Sequence, residues 1–260
     1  MVTRPAVLVT GAARRVGKAI AERFAAAGWH VVIHHRTSGS QADALAARLP
    51  SAETVECDLA DAEAVARMVA RVAEGCEDWR ACVASASVFE EDDVEAFDPQ
   101  VFARAMDVNA AGAVRLLQLY LRHARAAPGR RAIAITDQKL ANPNPDFFSY
   151  TLSKAALAAA VPLLAMGAAR REDRVYAVAP GAILPSHDQT DAEAETSHRL
   201  NLLRRRTGAA EVGDACVFLA QGLVASGETI FVDSGQHLLR QPRDVIYLAR
   251  GSHAGPAHKR

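Results

Sequence analysis

Short apolar, β-branched runs alternate with longer Ala-, Leu- and Arg-rich stretches of helical period along most of this chain. A strand that is apolar throughout must be covered on both faces, and a helix after each strand supplies that cover. The pattern therefore demands a parallel sheet between two layers of helices. The strand candidates are Ala6–Thr10, His30–His34, Glu53–Cys57, Arg80–Ser85, Arg131–Thr136, Arg174–Val178 and Glu228–Val232. Helical stretches lie near residues 15–27, 39–49, 61–74, 98–126, 149–170 and 209–222. Crossovers of this kind are right-handed, which makes the sheet doubly wound, with its ligand crevice at the carboxyl ends of the strands. The expected fold is α/β: a doubly wound parallel seven-stranded sheet in a three-layer α/β/α single domain. No repeat or low-complexity linker splits the chain. Residues 1–240 are read as that domain, with 183–208 an irregular polar insertion and 241–260 a tail containing Pro, Gly and His. Pro162 removes the usual donor to the carbonyl of Ala158, so it is expected to kink or end the helix that begins near Ser149.

Charge and composition exclude several classes of partner. Thirty Lys and Arg balance thirty Asp and Glu, so no chain-wide basic field exists to attract nucleic acid or an anionic membrane. The only basic run, Arg204-Arg205-Arg206, reads as a solvated helix end. The longest apolar run, Ala155 to Ala169, has 15 residues and carries Pro162, too short and too interrupted for a membrane span. Met1 to Thr10 has no signal-peptide pattern, so a cytoplasmic protein is expected. The cysteines at 57, 76, 82 and 216 lack metal-ligand spacing and read as buried thiols; no metal is expected. Aromatic residues are scarce (Phe 8, Tyr 4, Trp 2), so an aromatic beside a candidate site carries extra information.

The first strand runs into Thr10-Gly11-Ala12-Ala13-Arg14-Arg15-Val16-Gly17 and then directly into an amphipathic helix. Glycine lets backbone approach a pyrophosphate closely, and the helix start offers free N–H groups at a positive dipole end. The strict G-x-G-x-x-G pattern is absent, and two glycines alone also fit a plain strand-to-helix turn; the order strand, turn, helix favours the phosphate cradle. Arg15 stands where a glycine is more usual and adds a guanidinium fork. After the second strand the chain reads His34-His35-Arg36-Thr37-Ser38, with no acid between Trp29 and Gln41. A carboxylate there would repel an adenosine 2′-phosphate, whereas Arg36 and its hydroxyl neighbours attract one, so NADP(H) is expected over NAD(H). Asp58 is placed either to meet the adenine or to cap the helix starting near Asp61.

Tyr150-Thr151-Leu152-Ser153-Lys154 puts a phenol and an ammonium four residues apart on one helical face. The ammonium is expected to lower the phenol pKa towards the range of a working proton donor or acceptor. Alone this spacing is common on solvated helices; combined with the first-turn motif it is specific.

These motifs together resemble the short-chain dehydrogenase/reductase family over roughly residues 5–240. Asn109, Tyr150 and Lys154 match three of the family's four usual catalytic positions, and Pro180-Gly181 and Val232-Asp233 match further landmarks. The fourth position, a serine in most members, is Asp137. That substitution is similar to the pteridine reductase branch, as are the basic residue inside the first turn, His35-Arg36-Thr37, and Ala84-Ser85-Ala86-Ser87-Val88-Phe89. The resemblance implies a Rossmann-like fold, assembly as a homotetramer or homodimer, a small-molecule substrate, and catalytic roles for Asp137, Tyr150, Lys154 and Asn109. It implies that NADP(H) is held by Gly11, Arg14, Arg15, Val16, Gly17, His35, Arg36, Thr37, Asp58, Leu59, Ser85, Ala86, Tyr150, Lys154, Pro180, Gly181 and Ile183. It also implies that a pteridine ring lies between Phe89 and the nicotinamide, with Arg15, Ser87, Asp137 and Tyr150 as polar contacts. The sequence departs from the branch where Ala84-Ser85 replaces a double Asn, and at Ser234, where Gly is common. A flat heteroaromatic needs a π-face opposite the nicotinamide, and Phe89 is one of few available, although ordinary packing would also explain it. A carboxylate beside Tyr150 opposes phenolate formation and favours a tyrosine that donates a proton, which suits reduction; a cap or a salt bridge to Lys139 or Lys154 is the structural alternative for Asp137.

The leading expectation is an NADPH-dependent oxidoreductase acting on a pteridine-like substrate, of the dihydropterin or folate type. A short-chain carbonyl/alcohol oxidoreductase with a tolerated Asp137 is the alternative, and an NADPH-binding sensor without turnover is the non-enzymatic one.

Overall fold

All seven expected strands form, with ends displaced by one or two residues: β1 Ala6–Val9, β2 His30–His35, β3 Ala52–Glu56, β4 Trp79–Ala84, β5 Arg131–Ile135, β6 Arg174–Pro180 and β7 Thr229–Val232. The computed structural model describes residues 2–186 and 188–251. The strands pair in parallel in the order β3-β2-β1-β4-β5-β6-β7. Strand order reverses between β1 and β4, so the chain leaves these neighbours for opposite sides of the sheet and their carboxyl ends part to open a crevice.

The helices cover both faces. Helices α1 (Arg15–Ala26), α2 (Gly39–Ala46) and α8 (Ala209–Ala220) bury Ile20, Phe24, Leu45, Val212 and Leu219 against one face. Helices α3 (Ala62–Gly75), α5 (Ala113–His123) and α6 (Phe148–Gly167) bury Val65, Val69, Leu116, Leu117, Tyr120 and Leu157 against the other. Most strand residues are fully buried, as a sheet covered on both sides requires.

Several expectations about helices are refined by the structure. The stretch 98–126 is not one helix: α4 (Pro99–Ala105) passes through a π-helical turn, Met106–Gly112, before α5 begins. π-Turns of this kind recur at functional sites, and this one carries Asn109. Of the two outcomes expected at Pro162, a kink or an end, the end does not occur: α6 continues to Gly167, five residues beyond it. α6 extends the apolar run by taking in residues from Phe148, and at 20 residues it is apolar enough to cross a membrane by length and composition alone. Its Ser149, Ser153, Lys154, Leu157 and Val161 are nevertheless buried within the domain. Finally, 183–208 is not wholly irregular. It holds α7 (Asp191–Ser197), opened by a capping box between Thr190 and Glu193. The segment read as a tail forms α9 (Val245–Gly251), which packs on α7; residues 252–260 of that tail lie outside the described residues.

The four cysteines are free and buried, as expected. Tertiary structure adds what their spacing did not show. Cys76, His30 and Glu53 bring a sulfur, a nitrogen and an oxygen within 4.8 Å of one another near the amino ends of the strands. There His30 Nε2 lies 3.5 Å from Glu53 Oε1.

Candidate active site

The crevice at the carboxyl ends of the strands is a cavity of about 550 Å³. Gly11, Arg14, Arg15, Val16, Gly17, His35, Arg36, Thr37, Asp58, Leu59, Ser85, Ala86, Pro180, Gly181 and Ile183 line it. Ser87, Phe89, Asp137, Tyr150 and Lys154 line the same cavity. Asn109 does not line it but is fully buried directly behind.

The first turn is built for close approach. A Cβ on Gly17 would lie 2.4 Å from the carbonyl oxygen of Gly11, so only glycine lets α1 start this close to the turn. Gly11 has φ +64, and a Cβ there would meet Ala86 Cα at 3.0 Å. Arg15 stands where glycine is more usual and adopts φ 54, the left-handed conformation that glycine takes without strain. Its guanidinium donates to Pro185 O at 2.9 Å, tying the turn to the segment after β6.

Sequence reasoning missed the residue that holds this turn. His34, 2% exposed at the end of β2, accepts a hydrogen bond at Nδ1 from the Gly11 N–H (3.1 Å), while Nε2 contacts Cys57 O at 3.0 Å. Burial pushes His34 down to about 4, so the ring is neutral with its proton on Nε2. The contact spans β1, β2 and β3, and only the strand order makes it visible. Asp58 does not cap α3. That role falls to Asp61, whose carboxylate accepts from the N–H groups of Glu63 and Ala64. Asp58 instead faces the cavity and accepts from Ala60 N at 3.0 Å.

The loop after β4 keeps its support despite lacking the double Asn. Thr10 Oγ1 accepts from the N–H of both Ser85 and Ala86 at 2.9 Å. Asn109 brackets Val88, accepting from its N–H (2.8 Å) and donating to its carbonyl (2.9 Å), and also donates to Ser153 Oγ (3.0 Å). One side chain in the π-turn thus locks the Phe89 loop to α6. The other departure, Ser234, sits at φ 53 and bonds Thr207 through its hydroxyl at 2.6 Å, so it takes the left-handed conformation usual for glycine without one.

At the reacting end, Tyr150 donates from Oη to Asp137 Oδ2 at 2.8 Å, and Asp137 Oδ1 accepts from Lys139 N at 2.8 Å. Asp137 therefore caps the short turn 138–140 through the Lys139 backbone N–H and bonds the phenol with its second oxygen. Lys154, 2% exposed, donates to Ile135 O at 2.8 Å and sits 5.7 Å from the Tyr150 ring centre. Burial lowers Lys154 to about 8, with Asp137 opposing the fall. Burial and then Asp137 hold Tyr150 well above its ordinary value, and burial raises Asp137. The expectation that Lys154 lowers the Tyr150 pKa is thus overturned, because desolvation and the adjacent carboxylate outweigh an ammonium at that distance. The expectation that Asp137 keeps the phenol protonated holds.

Phe89 stacks on Phe147 (4.2 Å, 26°) and meets Tyr150 edge-on (4.7 Å, 85°). Phe147 adopts φ 51 at the start of α6, and the first turn of that helix is held by buried Asp92, which accepts from Ser149 N (3.0 Å) and Oγ (2.5 Å). Neither Asp92 nor Phe147 was placed by sequence periodicity, since both act through contacts distant in sequence.

The residues present fit a phosphorylated dinucleotide. The glycine cradle that a Cβ would fill, the arginines at 14, 15 and 36, and the buried His35 Nδ1 that lacks a hydrogen-bond partner all point into or border one cavity. Comparison with known proteins agrees. A family profile described as enoyl-(acyl carrier protein) reductase matches residues 11–237. The solved structure of FolM alternative dihydrofolate reductase 1 from Brucella canis, complexed with NADP, is 35% identical, with TM-score 0.85, covering 92% of this chain and 96% of that one. Pteridine reductase 1 of Leishmania tarentolae is 27% identical over 283 residues, 92% of this chain and 98% of that protein. L-xylulose reductase of Mesocricetus auratus is 30% identical over 239 residues, 88% of this chain and 94% of that protein. Sheet order, first-turn cradle, Asn109–Tyr150–Lys154 arrangement and profile together show that the chain belongs to the short-chain dehydrogenase/reductase family of NAD(P)-dependent oxidoreductases.

Proposed function

We propose that this protein is an NADPH-dependent reductase of a pteridine-like substrate, of the dihydropterin or folate type. The observation that carries this reading is the 2.8 Å bond from Tyr150 to Asp137, in a cavity walled by Phe89. A serine at position 137 could share a proton with the tyrosine in either direction. A buried carboxylate instead holds the phenol in its protonated form, which suits a proton donor in reduction. Gly11, Arg14, Arg15, Val16 and Gly17 hold the cofactor pyrophosphate, and His35, Arg36 and Thr37 receive the 2′-phosphate. Asp58, Leu59, Ser85, Ala86, Pro180, Gly181 and Ile183 enclose the remainder, and the Lys154 ammonium holds the nicotinamide ribose. Bound NADPH supplies the hydride. Tyr150 gives its Oη proton to the substrate, and one proton taken up from solvent restores the phenol, passing through Asp137, whose proton affinity burial raises and whose Oδ2 lies 2.8 Å from Oη. Asn109 maintains the loop that presents Phe89 to the substrate face, with Ser87 and Arg15 as polar contacts.

The outward side of α6 supports a homodimer or homotetramer. Leu152, Leu163 and Met166 are exposed on a helix that is apolar on nearly every side, a surface that a second copy covers better than water does.

The test is NADPH oxidation by the purified protein with dihydrobiopterin and with dihydrofolate. Turnover above background on at least one is expected; no turnover on either, with ordinary ketones reduced well, sinks the pteridine reading. The 30% identity to an L-xylulose reductase favours carbonyl reduction as the second reading. Asp137→Ser separates the two: pteridine turnover falls under the first, whereas ketone activity is kept or rises under the second.

A further inference from the structure

The chain beyond β7 reaches back over the reacting end of the cavity. Asp244, Val245 and Ile246 line the same cavity as Tyr150 and Asp137. This arm is anchored by Asp146, itself 3% exposed, which binds Arg243 Nε through both oxygens (2.8 and 2.9 Å) and accepts from Asp244 N at 2.6 Å. Tyr247, one helical turn further on, stacks over Phe147 at 6.0 Å and so continues the row that leads through Phe89 to Tyr150.

Asp244 faces a second buried charge. Lys139, 4% exposed, donates from Nζ to Asp146 O at 2.5 Å and stands 3.5 Å from Asp244 Oδ2. Asp244 Oδ1 accepts from Ile246 N at 3.1 Å, which caps α9. The Oδ2 atom is therefore held loosely by one ammonium on a carboxylate side chain only 17% exposed. A carboxylate offers about four acceptor positions, and a largely buried one is costly until more of them are filled. A ligand N–H directed at Oδ2 would fill one, and Lys139 beside it offers a donor to an adjacent carbonyl.

We propose that Asp244, backed by Lys139, binds the donor edge of the substrate: an amino group or ring N–H of a flat, amide-bearing heterocycle. This assignment rests on the pteridine reading above and makes it more specific. It separates heterocycles carrying N–H donors from plain carbonyl compounds, which leave Asp244 unsatisfied. Leaving such a group unpaired is what makes a polar site reject a substrate lacking the matching donor.

The variant Asp244→Asn tests it with the helix cap preserved, since Asn caps as well as Asp. Three quantities are read in wild type and variant: kcat and KM for dihydrobiopterin, the Kd of NADPH, and Tm. The expected result is a KM for dihydrobiopterin raised about 10- to 100-fold, the usual span for loss of a hydrogen bond to a charged group. NADPH affinity should be unchanged and kcat altered by less than about threefold, because the interaction is made equally in ground and transition states, while Tm falls somewhat because buried Lys139 loses its counter-charge. An unchanged KM reduces Asp244 to a cap and ion pair and overturns the assignment, leaving the pteridine reading intact. A raised KM accompanied by weaker NADPH binding also overturns it, as a structural effect that reaches the whole cavity. Wild-type protein inert towards both dihydrobiopterin and dihydrofolate overturns the pteridine reading and this assignment with it.

Discussion

His34 shows how one residue couples the cofactor turn to stability. Its neutral ring accepts the Gly11 N–H and contacts Cys57 O, so protonating Nδ1 replaces a hydrogen bond with a buried, unpaired charge. The folded ring titrates at about 4 and the unfolded one at 6.5, so the unfolded chain binds more protons between those values. Stability from this group is complete above pH 6.5 and falls as pH drops towards 4, by about 3 kcal/mol in all at 1.36 kcal/mol per unit. In urea titrations, wild type should lose more stability between pH 7.5 and 5 than His34→Gln does, the difference approaching about 2 kcal/mol. Parallel losses in the two proteins would remove His34 as the cause. The fully buried position of His34 in an apolar strand gave no sequence signal for this role, because its partners Gly11 and Cys57 both lie 23 residues away.

The elements themselves were largely legible. Apolar strands and periodic helices announce their type through local chemistry, and all seven strands stand within two residues of expectation. What escaped was how elements are fastened. Arg130 and Asp173 tie the starts of β5 and β6 together through a buried ion pair, with Asp173 also accepting from Arg130 N at 2.9 Å. Burial alone would raise Asp173, but the Arg130 hydrogen bonds hold it below its ordinary value. Asp173→Ala leaves that guanidinium buried and unpaired. It should cost about 3–5 kcal/mol in denaturant unfolding, whereas a solvated pair would cost under about 1 kcal/mol. The break of 98–126 into helix, π-turn and helix was equally hidden, since its sequence remains helix-forming throughout. The π-turn places Asn109 where one amide can reach both Val88 and Ser153.

At the scale of the whole molecule, an even charge total conceals an uneven distribution. Arg14, Arg15 and Arg36 line the same cavity as Asp137, Asp244, Lys139 and Lys154. On the proposed reading the arginines serve the phosphates and Asp137 and Asp244 a heterocycle with hydrogen-bond donors. The apolar side of α6 gives the corresponding prediction for assembly. Replacing Leu163 and Met166, 63% and 76% exposed, with Glu should convert the proposed oligomer to monomer in light scattering at unchanged secondary structure. A wild type already monomeric at micromolar concentration would contradict it.

The sequence by itself determined the fold class, the cradle at Gly11 and Gly17, and the pairing of Tyr150 with Lys154, while the family resemblance added Asn109 and Asp137. The first three are encoded by local periodicity, by a glycine that no side chain can replace, and by spacing along one helix. Only the tertiary structure decided that His34 holds the cradle, that Asp92 and Phe147 set the start of α6, and that Asp244 returns from beyond the last strand to the reacting end. These roles depend on which residues meet across the sheet. They also depend on burial, which moved Tyr150 upward where spacing alone had suggested the opposite.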